Sequence, residues 1–232
     1  LLHPRGMNPI VLTRLNTDEA LRYMGTPPEQ ADQRLRALVD DCAAQMLCSI
    51  RPRWSYRAFD LSFEAGGVRL DSGLLLPGQS LKAHLSGCDR AVVFCATLGA
   101  EADSLIRQAE CVDMARALAL DCCASAAVEQ ICDQIELDLH SRFSGCYFPF
   151  RFSPGYGDLP LEVNDELLAL LDAPRRIGLC ATRSHLLTPR KSVTAILGAA
   201  DHPVETHKRS CPGCPAYDNC QYRKSGGHCG IS

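Results

Sequence analysis

Four cysteines near the end of the chain, Cys211, Cys214, Cys220 and Cys229, are spaced C-x2-C-x5-C-x8-C among glycines and prolines. Four thiolates at this spacing suffice to enclose one tetrahedral metal ion or to hold an iron-sulfur cluster. Gly213, Gly226 and Gly227 supply tight turns that bring backbone N–H groups toward the sulfurs. The pattern points to metal without choosing one: an iron-sulfur cluster is favoured, zinc is the alternative, and uncommitted thiols are the plain reading. His228 could stand in for Cys229. The basic residues His207, Lys208, Arg209, Arg223 and Lys224 flank the cysteines and either meet an acidic redox partner or keep the segment soluble.

A second place where residue types suggest chemistry is Arg151-Phe-Ser-Pro-Gly-Tyr156. Taken alone, these six residues are an ordinary Pro-Gly turn with an arginine at its edge. Upstream, Asp121, Ser125 and Glu129 recur every four residues and form a polar seam between Leu118, Val128 and Ile131 on one helix.

The elements that must position these groups follow from periodicity. Thr26-Pro27-Pro28-Glu29 reads as a capping box opening an amphipathic helix that runs to about Cys48. Trp54 to Phe63 and Val68 to Leu70 read as a hairpin turning at Gly66-Gly67. A short helix is expected over Ser80 to Leu85 and a buried strand over Arg90 to Leu98. Helical periodicity returns from Ala100 to Glu110 and from Cys111 to Phe143, the second segment free of glycine and proline. Tyr147 to Phe152 reads as a strand, Ser153 to Pro160 as a Gly/Pro loop, and Leu167 to Leu171 as a short helix stopped by Pro174. Ile177 to Leu187 and Ser192 to Leu197 are expected as two strands joined at Thr188-Pro189-Arg190. The expected fold class is α+β, a mainly antiparallel sheet with a long central helix, over residues 7–200, with Met7 a plausible start. Residues 201–232 are expected to form a small metal-binding tail.

In order along the chain, Arg151 to Tyr156, Leu161-Glu-Val-Asn, Arg176-Ile-Gly-Leu and Pro189-Arg-Lys-Ser-Val193 resemble the reactivation domain of cobalamin-dependent methionine synthase. The resemblance spans roughly Cys111 to Gly198. It implies that the loop binds S-adenosylmethionine through Arg151, Ser153, Gly155 and Tyr156. A guanidinium can grip the ligand's α-carboxylate through two parallel charge-assisted bonds, so Arg151 is the natural anchor. Gly155 lets the backbone approach the ligand, Pro154 stiffens the bend, Ser153 offers backbone groups and Tyr156 a flat face with a polar tip. Family members carry an acidic ligand-binding residue on the long helix. Ser125 aligns best with it, and Glu129 is the nearest downstream carboxylate on that face, a partner for the ligand's amino or ribose groups or else a solvated charge.

In the implied reaction, inactive cob(II)alamin on a partner is reduced by one electron and the resulting cob(I)alamin attacks the methyl group of S-adenosylmethionine, so the protein needs to position donor and acceptor rather than supply an acid or base. The chain has no Gly-x-Ser-x-Gly elbow, phosphate loop or His-Glu-x-x-His helix, consistent with that economy. It also has no Asp-x-His-x-x-Gly motif, so the cobalamin is expected on a separate methionine synthase core protein, with a low-potential electron donor as a further partner. The alternative function is a metal-tailed docking or electron-transfer module that does not bind the methyl donor.

Composition narrows the classes. The 232 residues carry a formal net charge of -3 with 46% hydrophobic and 22% charged residues, which argues against disorder and against an electrostatic grip on nucleic acid. The longest apolar runs fall short of a membrane span, and ten cysteines from Cys42 to Cys180 lie scattered among apolar residues. A cytoplasmic protein with reduced, buried thiols is expected.

Overall fold

The computed structural model describes residues 10–204. The four tail cysteines, and the metal site expected of them, lie outside the described residues. The chain forms β1 (Arg53–Glu64), β2 (Gly67–Leu70), β3 (Leu75–Pro77), β4 (Arg90–Thr97), β5 (Cys180–Ala181), β6 (Leu187–Thr188) and β7 (Ser192–Ala199). Its helices are α1 (Thr17–Tyr23), α2 (Gln33–Ser49), α3 (Gln79–His84), α4 (Ala100–Glu110), α5 (Met114–Arg142), α6 (Val163–Leu171) and α7 (Ala173–Ile177). Five strands make one antiparallel sheet in the order β3-β2-β1-β4-β7, and β5 and β6 form a separate small ladder. The α+β class, the antiparallel sheet and the long helix are as the sequence leads one to expect.

The sheet is covered on both faces, and strand alternation sorts its side chains accordingly. Trp54, Tyr56, Val92, Phe94, Ala96 and Leu197 point into one core with α1, α2, α4 and α5. Phe59, Val93, Cys95 and Ile196 point into the other, beneath α3, α6 and α7. Double coverage explains why β4 reads as an unbroken apolar run although its neighbours are antiparallel. The axis of the first core is α5, 29 residues and therefore about 44 Å long. Its buried positions are largely Ala and Cys, small enough for α1, α2 and α4 to pack closely around it. Asp113 caps it, accepting from Ala115 N and Arg116 N.

Several boundaries differ from the sequence expectation. Pro28–Gln30 forms only a 3-10 turn, and Asp32 is the cap of α2, its carboxylate accepting from Leu35 N at 2.7 Å. Ala31 is extended, which separates the turn from the helix. Helix α1, capped by Asn16, carries too short a pattern to be read in advance. Tyr147 to Phe152 is not a strand but makes two isolated bridges, Phe152 to Ile196 of β7 and Tyr147 to Ala200 just past its end. Pro149 supplies no N–H between them. Ile177 to Leu187 likewise does not form one strand: Ile177 ends α7, and only Cys180–Ala181 pairs, with Leu187–Thr188. The Thr188–Pro189 bond is cis.

Of the ten described cysteines, Cys42, Cys88, Cys95, Cys122, Cys123 and Cys132 are buried, and none of the ten is in a disulfide. Burial pushes the Cys88 and Cys122 thiols up to about 11 and those of Cys95 and Cys123 up to about 12, so they are packing groups rather than nucleophiles. No helix among the described residues is long and apolar enough to cross a membrane.

Candidate ligand-binding site

The segment from Tyr147 to Phe152 runs antiparallel to β7 along its open edge. Tyr147 pairs with Ala200 and Phe152 with Ile196, so the segment advances five residues against four on the strand. The extra residue is a bulge, a device that re-aims side chains. Gly198 makes room for this approach, because a Cβ there would lie 2.7 Å from Cys88 Sγ and 3.1 Å from Pro149 Cγ. Beyond the bulge, Phe152 packs into the second core while Arg151 reaches the opposite face and α5.

Helix α5 presents Glu129, Asp133 and Glu136 to that guanidinium. Their spacing of four and then three residues sets them on one stripe. Arg151 Nη2 donates to Glu129 Oε2 at 2.5 Å; Nη1 donates to Asp133 Oδ1 at 2.9 Å and to Glu136. The arginine is 6% exposed, whereas the Glu129 and Asp133 side chains are 37% and 54% exposed. Burial alone would weaken the guanidinium's hold on its proton, and the acidic neighbours, Glu136 and Glu129 among them, more than reverse this. Arg151 therefore stays charged, and three carboxylates against one cation leave the cluster net negative.

Two turns toward its N-terminus, α5 meets a second cation. Lys191 Nζ lies 2.9 Å from Asp121 Oδ1 and 2.9 Å from Ser125 Oγ, and Arg190 N donates to Asp103 Oδ2 at 2.9 Å. The polar seam of Asp121, Ser125 and Glu129 is thus a docking rail for the two chain segments that flank the sheet edge.

After Phe152 the chain makes a closed bend. Tyr156 N donates to Ser153 O at 3.1 Å, Leu159 N to Tyr156 O at 3.0 Å, and Gly155 N to Leu159 O at 2.8 Å. Gly155 has φ +92°, and a Cβ there would meet Leu161 Cδ2 at 3.2 Å, so glycine suits both the conformation and the space. Asp158 ties the bend to α3 by accepting from Gln79 N at 2.7 Å and Ser80 N at 2.9 Å, and these bonds hold its carboxyl below the usual range. Pro154 and Leu159 are buried, and Tyr156 packs edge-on to Phe152 at 5.9 Å while remaining 44% exposed. Downstream, the buried Asn164 accepts from Thr194 Oγ1 at 2.5 Å and donates to His185 O at 2.9 Å, fixing α6 to the sheet.

Of the site residues expected from sequence, Arg151 and Glu129 are brought together directly, and Ser153, Gly155 and Tyr156 form the adjoining bend. The structure adds Asp133, Glu136 and Asp158, and gives Lys191, quoted above only within a longer stretch, a contact of its own with Asp121. The acidic spacing on α5 is a visible signal for the first two; Asp158 has none, because the amides it caps lie far upstream in the chain. Among the described residues, no group of three or more His, Cys, Asp or Glu side chains is arranged to hold a metal ion.

No family model matches the chain, and no curated protein matches it. Among solved structures, it is similar to the crystal structure of the MetH reactivation domain bound to AdoHcy, with a TM-score of 0.66 at 14% sequence identity. The match covers 97% of this chain and 86% of that one. The two share a fold.

Proposed function

We propose that this chain binds S-adenosylmethionine at the Arg151–Tyr156 bend and supports reductive methylation of cobalamin carried by a separate methionine synthase core protein. The observation that carries the reading is the fold shared with a reactivation domain whose crystal structure contains AdoHcy, over nearly the whole chain. The local arrangement supports it: a conformationally fixed bend presents Gly155 and Tyr156 outward, and Arg151, two residues before it, belongs to a charged cluster able to meet an amino acid's carboxylate and ammonium groups.

In this reading the ligand's α-carboxylate exchanges with Asp133, the most exposed of the three carboxylates on the guanidinium, and Glu129 turns to the ligand's amino group. Backbone groups of Ser153 and Gly155 line the ligand, and the Tyr156 ring covers it. Once reduced by one electron from a low-potential donor, the partner's corrinoid cobalt would supply the nucleophile, and the sulfonium would give up its methyl group and leave as S-adenosylhomocysteine. What remains for the protein is orientation and exclusion of water.

Residues 7–200 form the methyl-donor domain in this proposal and residues 201–232 a tail whose four cysteines bind metal, an iron-sulfur cluster relaying an electron or a zinc ion acting as a clip. Anaerobic purification with iron, sulfide and zinc analysis decides between them. One observation favours the rival reading, a docking module without methyl donor: the Arg151 fork is already engaged by three carboxylates. Titration calorimetry with S-adenosylmethionine separates the two. Saturable heat that disappears in Arg151→Ala is expected, and absence of heat from the native protein leaves the rival standing.

A further inference from the structure

Between β1 and the corner where α6 passes into α7 lies a cavity of about 80 Å³, lined by Ser55 and Arg57 from the strand and by Leu171, Asp172 and Arg176 from the helices. It opens on the face of the sheet away from α5 and shares none of these residues with the Arg151 bend. Two guanidiniums and one carboxylate line it, a net positive balance. Arg176 Nε stands 4.0 Å from Asp172 Oδ2, at the outer limit of an ion pair, and both side chains are partly exposed. Arg57 lies with its guanidinium carbon 4.8 Å from the centre of the Phe59 ring.

Arg57 Nε is buried and donates to nothing among the described residues. A buried donor without an acceptor is costly, and in native proteins such a group calls for a partner, an ordered water or a bound ion. The contrast with Arg151 is informative, since that guanidinium gathers three carboxylates. An acceptor suited to this cavity must be small, must carry negative charge to balance the second guanidinium, and must offer oxygens in several directions to reach donors on two elements. Carboxylate ligands with longer carbon skeletons are too large, and chloride lacks the separate oxygens that a guanidinium fork engages in pairs.

We propose that this cavity binds a tetrahedral oxyanion, inorganic phosphate or sulfate, between Arg57 and Arg176. The ion fastens α7 to β1, and the Asp172 carboxylate, on the same wall, lowers affinity but leaves it selective for an ion that both arginines reach. Binding is independent of S-adenosylmethionine.

The test uses the full chain, titrated calorimetrically with inorganic phosphate and separately with sulfate, against chloride at matched ionic strength. Phosphate at about ten times its Kd is expected to raise Tm by about 3–6 °C above the chloride control. Arg57→Gln and Arg176→Gln are each expected to weaken binding at least about tenfold, as loss of a charge-assisted fork should. Arg176 is partly exposed, so its variant keeps the test decisive even if Arg57→Gln perturbs folding. Phosphate and sulfate acting no differently from chloride, or Arg176→Gln binding phosphate as the native chain does, overturns the proposal.

Discussion

Arg151 and Tyr156 are five residues apart in one motif, yet they belong to opposite kinds of structure. Arg151 is 6% exposed and held by side-chain charge on another element, whereas Tyr156 is 44% exposed on a bend held by backbone hydrogen bonds and one aspartate cap. The difference divides the motif into an anchor and a presenting surface. The anchor fixes where the segment sits against α5 and, in the proposed reading, also holds the ligand's amino-acid end; the bend faces outward. Residue type alone does not show this division, because an arginine beside a Pro-Gly turn suits either part.

Substitutions should separate the two halves, the anchor responding most. Arg151→Ala leaves Glu129, Asp133 and Glu136 facing one another without their cation, and a loss of about 3 kcal/mol is expected in urea unfolding. Arg151→Lys should recover only part of it, since an ammonium does not span three carboxylates as a fork does. A loss as small as that of a surface substitution would mean that the cluster does not anchor the segment. Gly155→Ala tests the bend's geometry: with φ +92° and Leu161 close by, it should cost about 1–2 kcal/mol by the same measurement.

A smaller effect is expected at the cap. The Asp158 carboxyl is held below its ordinary value of 3.8 by the backbone N–H groups of Gln79 and Ser80. Because its folded-state value is the lower one, its contribution is complete above the ordinary value and is lost as pH falls through the depressed value. The Gln79 and Ser80 amide resonances should shift together in that acid window, and in Asp158→Asn the shift should vanish. Smallest of all in stability is Tyr156→Ala, expected to lie within about 0.5 kcal/mol of the native protein while weakening S-adenosylmethionine binding measured by calorimetry. If Tyr156→Ala unfolded the protein as readily as Arg151→Ala, the anchor and the bend would not be distinct.

Much of the architecture was legible because its signals are local and periodic. The hairpin of β1 and β2, the apolar run of β4 and the helices α4 and α5 each stand out by alternation or by a 3.6-residue repeat. The failures have particular causes. Tyr147 to Phe152 has strand-like residues, but Pro149 and a one-residue bulge reduce it to two bridges. Ile177 and Leu179 look like strand residues but fill the second core at the end of α7, and His185, with φ +62°, turns the chain before a longer ladder can form. The bend itself was readable from Pro154 and Gly155. The partners of Arg151 were not, because they depend on how α5 meets the sheet edge; the sequence points Glu129 at a ligand, and in the structure its partner is the arginine.

The most direct measurement is a crystal structure of the protein soaked with S-adenosylmethionine. The account predicts the ligand against Ser153, Gly155 and Tyr156, with its amino-acid end at the Arg151 cluster. A ligand bound elsewhere, or a bend left bare with the guanidinium still on Glu129, Asp133 and Glu136, would contradict it.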